Sequence, residues 1–265
     1  MNKTSQEKNY HHFYEKIFWS PDRVPADPSA ITDFSFECEL KNFVNHFKLH
    51  NKRVLEIGSG YGQFQDIVSD YTGVDIVEHL RMFYHKRFFV VKEDGIYPFQ
   101  DEIFDAIFTN ATLEHIINID QALTELLRVL RRGGVMLLNV AWQVRPWAAK
   151  GYEVRPWKDF GWREKLIKVS IPIRDSVVFR LLYIVPKRLW RTMRFIISQA
   201  SSKLEYKKIP ANYEIFWVSD SDACNSIDPH AMILWFRAHG CEVLNYSSFW
   251  SSFFVRTGTL LIRKK

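Results

Sequence analysis

Short apolar runs alternate with polar and glycine-rich stretches through the middle of the chain. Runs that predict strands lie at 53–57, 71–76, 88–91, 103–110 and 135–140, followed by two closing strands at 241–246 and 253–263. Helical spacing of apolar residues lies at 63–68, 120–130 and 228–239. Strands that alternate with helices in this way indicate an α/β fold with a parallel sheet covered on both faces. The last helix and two strands indicate an antiparallel pair at one sheet edge.

The first fifty residues predict an N-terminal helical cap. Two helices are expected, at 5–19 and 32–50, because Pro21, Pro25 and Pro28 interrupt the helical pattern between them. The predicted core then comprises residues 51–142 and 223–265. Residues 143–222 form a predicted insertion between the fifth strand and the last helix.

Positive charge is concentrated in that insertion. Residues 143–208 contain sixteen Lys and Arg against five Asp and Glu, a net charge of +11, whereas the rest of the chain carries −5. The formal charge of +6 therefore belongs to a mildly acidic body with one basic, Trp-rich segment.

Several classes of protein are excluded or disfavoured by composition. No apolar run reaches the roughly 18 residues that a membrane-spanning helix needs, and the N-terminus lacks the apolar core of a signal peptide. A cytoplasmic location, with or without peripheral membrane contact, is expected. The three cysteines include no Cys-x-x-Cys pair, so neither a disulfide framework nor a metal site is expected.

Polar and glycine clusters follow the predicted parallel strands at the point where each strand ends. These clusters are 58–62, Asp75, Asp94 and Asn110. In open parallel sheets, ligands bind beyond the carboxyl ends of the strands. We therefore expect the ligand site of this domain at that edge.

The glycine cluster and the acids after it favour a nucleoside ligand. A Gly-x-Gly-x-Gly turn lets a ligand approach the backbone closely, but the third glycine comes one residue earlier than in the dinucleotide fingerprint, which counts against NAD. Asp75 is placed to accept ribose hydroxyls, and Asp94 can accept from an adenine amino group. Glu56, inside the first strand, either fixes the loop or binds a ligand ammonium. The alternative is that Asp75 and Asp94 cap the following helices.

Four motifs in order carry a family resemblance. The runs VLEIGSGYGQF, GVDI, EDGIYPFQDEIFDAIFTNATLEHI and LLRVLRRGGVMLL resemble class I S-adenosylmethionine-dependent methyltransferases, close to the type-11 group. The resemblance covers about residues 53–140 and the C-terminal strand pair. It implies a Rossmann-like seven-stranded sheet of order 3-2-1-4-5-7-6 with strand seven antiparallel. It also implies S-adenosylmethionine as cofactor and S-adenosylhomocysteine as product.

The same resemblance implies roles for residues at the sheet edge. The glycines would surround the methionyl part of the cofactor, Asp75 would bind the ribose, Asp94 with Gly95 would line the adenine, and Asn110 would lie near the sulfonium. The full predicted cofactor set is Glu56, Gly58, Ser59, Gly60, Gly62, Asp75, Ile76, Asp94, Gly95 and Asn110. His115, with its neighbour Glu114, is the candidate general base. The alternative is that these two residues shape the cofactor pocket.

The insertion is expected to choose the acceptor or to bind a partner. It opens with two Arg-Pro-Trp units, in which Arg145 and Arg155 could bind carboxylate or phosphate while Trp147 and Trp157 stack on a sugar. The alternative is a pair of turns whose tryptophans plug into the body. Further candidates for acceptor binding are Asp222, Asn225 and His230. Asp228 lies in the same polar segment, and helix capping explains it as well as acceptor binding does, with Pro229 at the first helical position.

Residues 173–202 form an amphipathic pattern around Pro186. Basic residues share one face and apolar residues lie opposite; the basic residues are Arg180, Lys187, Arg191 and Arg194. Three interpretations stay open: a lid or homodimer element, a helix on an anionic membrane, and a nucleic-acid contact. In the family that the chain resembles, an Asn/Asp-Pro-Pro-Tyr/Phe motif after the fourth strand marks members that methylate exocyclic amines of bases. Here the fourth strand ends in Thr-Asn-Ala-Thr instead, so methylation of nucleic-acid bases is disfavoured.

The sequence thus predicts a methyltransferase acting on a small polar acceptor. A sugar or phosphate-bearing glycan precursor, methylated on oxygen, is favoured. The alternatives are a lipid or quinone methyltransferase at the membrane surface, a non-catalytic scaffold with a cofactor fold, and an RNA-associated methyltransferase.

Overall fold

A computed structural model of the 265-residue chain describes residues 5–18, 34–92, 94–198, 203–215, 217–218 and 220–265. The predicted Pro-rich turn with Pro21, Pro25 and Pro28 lies outside these residues. The chain divides into two compact units. Unit 1 comprises residues 1–140, 240–245 and 258–265, and unit 2 comprises residues 141–239 and 246–257.

The regular elements follow one another in chain order. The helices are α1 (Ser5–His12, continued by a π-helix at Phe13–Phe18), α2 (Phe34–His46), α3 (Ile119–Val129), α4 (Trp162–Asp175), α5 (Val177–Ser198), α6 (Pro229–Ala238) and α7 (Phe249–Phe253). The strands are β1 (Arg53–Ile57), β2 (Asp70–Asp75), β3 (Arg87–Val90), β4 (Phe104–Asn110), β5 (Leu130–Asn139), β6 (Tyr206–Lys208), β7 (Asn225–Ile227), β8 (Cys241–Val243) and β9 (Leu260–Lys264).

Unit 1 is built on a seven-stranded sheet of order β3-β2-β1-β4-β5-β9-β8. Strands β1 to β5 pair in parallel, and β9 runs antiparallel to both β5 and β8. With β9 as the seventh strand of the predicted sheet, this order confirms the predicted 3-2-1-4-5-7-6 topology. The carboxyl ends of β1, β2 and β4 consequently lie side by side, with β1 in the middle.

Both faces of this sheet are buried. Helix α2 places Phe36, Leu40, Phe43 and Val44 in one cluster with Val54, Phe108 and Leu137 of the strands. The residues that alternate with these along the strands, among them Leu55, Ile107 and Met136, are also fully buried. Because successive strand side chains point to opposite faces, burial of both sets shows that the sheet is covered on both sides.

The helix predicted at 63–68 is wrong. This segment consists of turns, in which Gln65 N–H donates to Gly62 O and Ile67 N–H donates to Phe64 O, at 3.0 Å each. Only residues 58–69 separate β1 from β2, and this is the shortest length that a parallel crossover allows. Since the glycine turn uses the first of these residues, tight i to i+3 turns replace a regular α-helix.

The C-terminal strands are shorter than predicted. The apolar run at 253–263 contributes only β9 from Leu260, and the short helix α7 lies in the connection that leads to it. Strand β5 begins at Leu130, directly after α3, rather than at Val135.

Unit 2 contains α4 to α7 and the antiparallel pair β6–β7. Helix α6 belongs to this unit, although the sequence placed residues 223–239 with the core. Its first turn confirms the capping interpretation of Asp228, because the carboxylate accepts from His230 N–H and Pro229 occupies the first helical position.

Candidate functional site

The loop that follows β1 requires glycine. Gly58, Gly60 and Gly62 all adopt left-handed backbone conformations, with φ of 66°, 50° and 72°. At Gly58 a Cβ atom would lie 2.2 Å from Cγ2 of Thr112, which follows β4. A side chain at this position would therefore meet both backbone strain and a steric clash.

Backbone hydrogen bonds tie this loop to the end of β2. The N–H groups of Gly58 and Ser59 both donate to Val74 O, at 2.9 and 3.1 Å. The next N–H group, that of Gly60, donates to Oδ2 of Asp75 at 3.0 Å. The glycine loop and the acid at the end of β2, which were predicted separately, thus form one hydrogen-bonded unit.

The Asp75 carboxylate is buried and accepts three hydrogen bonds from backbone N–H groups. Its Oδ1 accepts from Ile76 N–H at 2.7 Å and from Val77 N–H at 3.3 Å. Burial raises the pKa of Asp75, and the three backbone hydrogen bonds act against that rise. A carboxylate offers about four acceptor positions, so three N–H donors leave capacity for a ribose hydroxyl. The predicted ribose contact of Asp75 agrees with this geometry and stays a prediction.

The hydroxyl of Tyr84 contacts the glycine loop at Ser59 and Gly60. The sequence did not predict this residue as part of the site. Its hydroxyl lies 2.9 Å from Ser59 O, 2.7 Å from Ser59 Oγ and 2.8 Å from Gly60 O. Its ring lies where a Cβ on Gly62 would come within 2.8 Å of Cε1. No sequence pattern marks this tyrosine, because it reaches the loop only through the folding of the segment after β2.

Glu56 is buried under the loop and receives a hydrogen bond from the Tyr71 hydroxyl. Burial raises the pKa of Glu56 well above its usual range, the Tyr71 hydrogen bond opposes this, and the Asp75 charge adds to it. This hydrogen bond joins β1 to β2, and both predicted roles of Glu56, fixing the loop and binding a ligand ammonium, stay predictions.

The remaining predicted cofactor residues also lie at this sheet edge. Asp94 is exposed, and its Oδ1 accepts from Ile96 N–H at 3.0 Å, so it stabilises a turn rather than capping a helix. Gly95 follows with φ of 69°. Oδ1 of Asn110 at the end of β4 accepts from Nδ2 of Asn139 at the end of β5, at 2.7 Å.

Glu114 and His115 lie in a turn just after β4. His115 N–H donates to Thr112 O at 3.0 Å, and His115 Nε2 lies 3.9 Å from Glu114 Oε1. Glu114 is completely buried and His115 is partly buried. The general-base role of His115 and its pairing with Glu114 stay predictions.

In unit 2, the two Arg-Pro-Trp units differ. Trp147 is buried with Tyr152 and Phe160, and its Nε1 donates to Glu153 Oε1 at 3.1 Å, while Trp157 is 48% exposed. The first tryptophan therefore packs in the core of its unit, and the second is exposed to solvent. Their arginines are engaged within the unit: Arg145 forms a 2.6 Å ion pair with Asp175, and Arg155 lies 4.7 Å from the rings of Phe160 and Trp217.

The three polar candidates near α6 are buried in unit 2. Asp222, Asn225 and His230 are 2%, 0% and 2% exposed. His230 Nε2 lies 3.1 Å from Thr192 Oγ1, and burial lowers the pKa of His230 to about 4, so the imidazole is neutral near pH 7. Their contact with an acceptor stays a prediction.

Comparison with known proteins finds a family match within unit 1. Residues 55–138 match the family described as "Methyltransferase domain" (Methyltransf_11). Over 109 residues the chain is 34% identical to MJ1123, an uncharacterized protein of Methanocaldococcus jannaschii. That alignment covers 39% of this chain and spans about half (53%) of that protein.

Solved structures with a similar fold include the PH0226 protein from Pyrococcus horikoshii OT3, at 20% identity and a TM-score of 0.40. This similarity covers 49% of this chain and 68% of that one. A second is a SAM-dependent methyltransferase from Aquifex aeolicus, at 19% identity and a TM-score of 0.36, covering 54% and 76% of the two chains. The family match applies to residues 55–138, and neither of these two structural similarities extends it.

Proposed function

Residues 55–138 form a class I S-adenosylmethionine-dependent methyltransferase domain, and on that premise we propose that the chain methylates a small polar acceptor. We favour O-methylation of a sugar or of a phosphate-bearing glycan precursor. The observation that carries the proposal is the hydrogen-bonded unit of the Gly58–Gly62 loop and Asp75, at the carboxyl edge of adjacent parallel strands.

Each residue of this edge has a task that its geometry supports. Gly58, Gly60 and Gly62 place no side chain at three positions of the loop, so a ligand can lie against the backbone there. Asp75 accepts from ribose hydroxyls with its remaining acceptor capacity, while Tyr84 keeps the loop in place. S-adenosylmethionine, when bound, supplies an activated methyl group for in-line transfer, so the protein contributes mainly alignment.

The acceptor base in this proposal is His115. It follows β4 at the same strand edge as Asn110, and imidazole is suited to take a hydroxyl proton near neutral pH. His115→Gln should lower the turnover number and leave S-adenosylmethionine affinity unchanged. Loss of cofactor affinity in this variant would instead favour the pocket-shaping role.

A lipid or quinone acceptor is the second candidate. It is favoured by the large exposed apolar side chains on α5, such as Leu182 at 74% exposure. Such side chains would suit an acceptor that resides in a membrane.

Transfer of labelled methyl groups separates the two candidates. The full chain is incubated with methyl-labelled S-adenosylmethionine and either nucleotide-linked and phosphorylated sugars or a lipid extract, with Asp75→Asn as the inactive control. Label in the sugar fraction supports the favoured proposal, and label in the lipid extract supports the second candidate. If the chain fails to bind S-adenosylmethionine, both are rejected.

A further inference from the structure

Unit 2 contains a groove of about 1040 Å³ with a strongly cationic lining. Among the described residues that line it, the carboxylates are those of Glu205 and Asp228. Against these stand nine cationic side chains, those of Arg145, Arg174, Arg180, Lys187, Arg191, Arg194, Lys203, Lys207 and Lys208. A groove of this charge attracts an anion.

Internal ion pairs neutralise only part of this charge. Arg191 pairs with both groove carboxylates, with 2.9 Å to each, and Arg145 pairs with Asp175. Four cations form no ion pair with any acid among the residues that the structure describes: Arg174, Lys187, Lys207 and Lys208. Lys207 and Lys208 are both exposed on β6, so they can reach an external anion.

Helix α5 borders the groove and has three distinct faces. Arg188 and Thr192 are buried, with Arg188 bonded to Asp228 before α6 and Thr192 to His230 on α6. The second face lines the groove, and it lies next to the buried face around the helix axis at 3.6 residues per turn. The third face is apolar, and its side chains are Val178, Leu182, Leu189, Met193 and Ile196, all exposed.

Helix α4, which packs against α5, has a second exposed apolar stripe. Its members are spaced at helical intervals of three and four residues: Trp162, Leu166, Val169 and Ile173. Trp190 of α5 is exposed as well and lines the groove, so an indole ring lies at the border between the apolar and cationic faces. Tryptophan is enriched at this kind of border between hydrocarbon and headgroups.

We propose that unit 2 docks on the surface of an anionic phospholipid membrane. The apolar stripes of α4 and α5, here called the apolar face, enter the boundary between headgroups and acyl chains, and the groove cations bind lipid phosphates. The proposed contact is peripheral. Among the described residues, no helix is both long and apolar enough to cross a bilayer. Docking does not depend on the proposed methyl transfer.

Charge complementarity selects lipid over a second copy of this chain. Two copies that cover each other's apolar faces would bring two cationic grooves close together, which is repulsive. An anionic lipid surface covers the same apolar side chains and neutralises the groove at the same time.

Flotation of the full chain with vesicles tests this inference. The vesicles contain phosphatidylcholine and phosphatidylglycerol in roughly a two-to-one ratio, with pure phosphatidylcholine as the comparison. The wild-type chain should float with the mixed vesicles, and far less with the pure ones. Raising the salt concentration should weaken flotation, since exposed charges are screened.

Two double variants locate the contact. Leu182→Glu with Met193→Glu changes the apolar face, and Lys207→Glu with Lys208→Glu changes the groove. Each should lower the partition onto mixed vesicles by about tenfold or more. Met82→Glu, at an exposed apolar position of unit 1, and Lys52→Glu with Lys92→Glu are the matched controls and should float like the wild type. Circular dichroism verifies the fold of every variant.

The inference is overturned if the wild-type chain stays at the bottom of the gradient with mixed vesicles. It is also overturned if the control variants lose as much flotation as the variants of the groove and the apolar face. A third contrary result is normal flotation of the Leu182/Met193 variant together with loss of wild-type flotation in inorganic phosphate. The groove would then serve a free phosphate rather than a lipid surface.

Discussion

The backbone N–H of Gly60 donates to the Asp75 carboxylate, with 3.0 Å between N and Oδ2. This hydrogen bond joins the end of β1 to the end of β2, where the two parallel strands open toward the ligand edge of the sheet. Because the same carboxylate is the predicted ribose acceptor, the loop and the nucleoside contact depend on one side chain.

Gly58→Ala should destabilise the chain and weaken S-adenosylmethionine binding. Left-handed backbone at an alanine costs about 1 kcal/mol, and the clash with Thr112 adds roughly 1–3 kcal/mol. Gly133→Ala is the matched control, since Gly133 has φ of 74° but no atom within 4 Å of its Cβ position. Denaturant unfolding should show a larger loss for Gly58→Ala. Equal losses would show that the Thr112 contact has no energetic effect.

Tyr84→Phe should loosen the glycine loop without disturbing the sheet. The variant keeps the ring but removes the hydroxyl that contacts Ser59 and Gly60, so the unfolding free energy should fall by about 1 kcal/mol. Cofactor affinity, measured by calorimetry, should fall about three- to tenfold. Tyr246→Phe, which loses a hydroxyl contact to Thr257 O in unit 2, should leave that affinity unchanged. An unaltered affinity in Tyr84→Phe would contradict a positioning role for this hydroxyl.

Arg188 should be the most sensitive cation of unit 2. It is 3% exposed, pairs with Asp228 and donates to the carbonyl oxygens of Phe253 and Val255. Arg188→Leu removes this donor from the two buried carbonyl oxygens and leaves Asp228 paired with Arg191, at a cost of about 3–5 kcal/mol. Arg194→Leu, at a half-exposed ion pair with Glu205, should cost less than about 1 kcal/mol. Similar unfolding free energies for the two variants would refute the assigned importance of Arg188.

Stability should fall as the pH drops from about 6.5 to about 4. In this window the unfolded chain binds a proton at His230, whose unfolded pKa is 6.5, whereas burial holds its folded pKa at about 4. The unfolded state therefore gains protons first, and the loss amounts to about 3 kcal/mol when complete. His230→Gln should flatten this part of the profile of unfolding free energy against pH. His50→Gln, at an exposed site, should keep the wild-type slope, and a His230→Gln profile that also keeps it would contradict this assignment.

The elements of the sheet could be predicted from sequence because burial leaves a local signal. The run Arg53–Ile57 forms β1 with the bounds expected, and the other parallel strands of the core begin or end close to their apolar runs. The 63–68 segment has helical spacing, but the length of its connection prevents a helix. The length of the connection is a property of the whole crossover, so the local periodicity of residues 63–68 does not reveal it.

Side-chain environments were harder to predict because identical local sequences fold into different surroundings. The two Val-Arg-Pro-Trp units place Trp147 in a buried cluster and leave Trp157 half exposed. Likewise, Tyr84 contacts the loop at Ser59, 25 positions earlier in the chain, and its own neighbours do not mark it. Such contacts depend on tertiary structure, and a single sequence carries no local trace of them.

Calorimetric titration of the full chain with S-adenosylmethionine tests the central claim most directly. We expect saturable one-to-one binding that Asp75→Asn weakens at least about tenfold, because the amide turns an N–H donor toward Gly60 N–H and loses the charge that accepts ribose hydroxyls. Asp66→Asn, at an exposed acid in the same crossover, should bind like the wild type. The absence of binding to the wild-type chain, or undiminished binding to Asp75→Asn, would contradict the account.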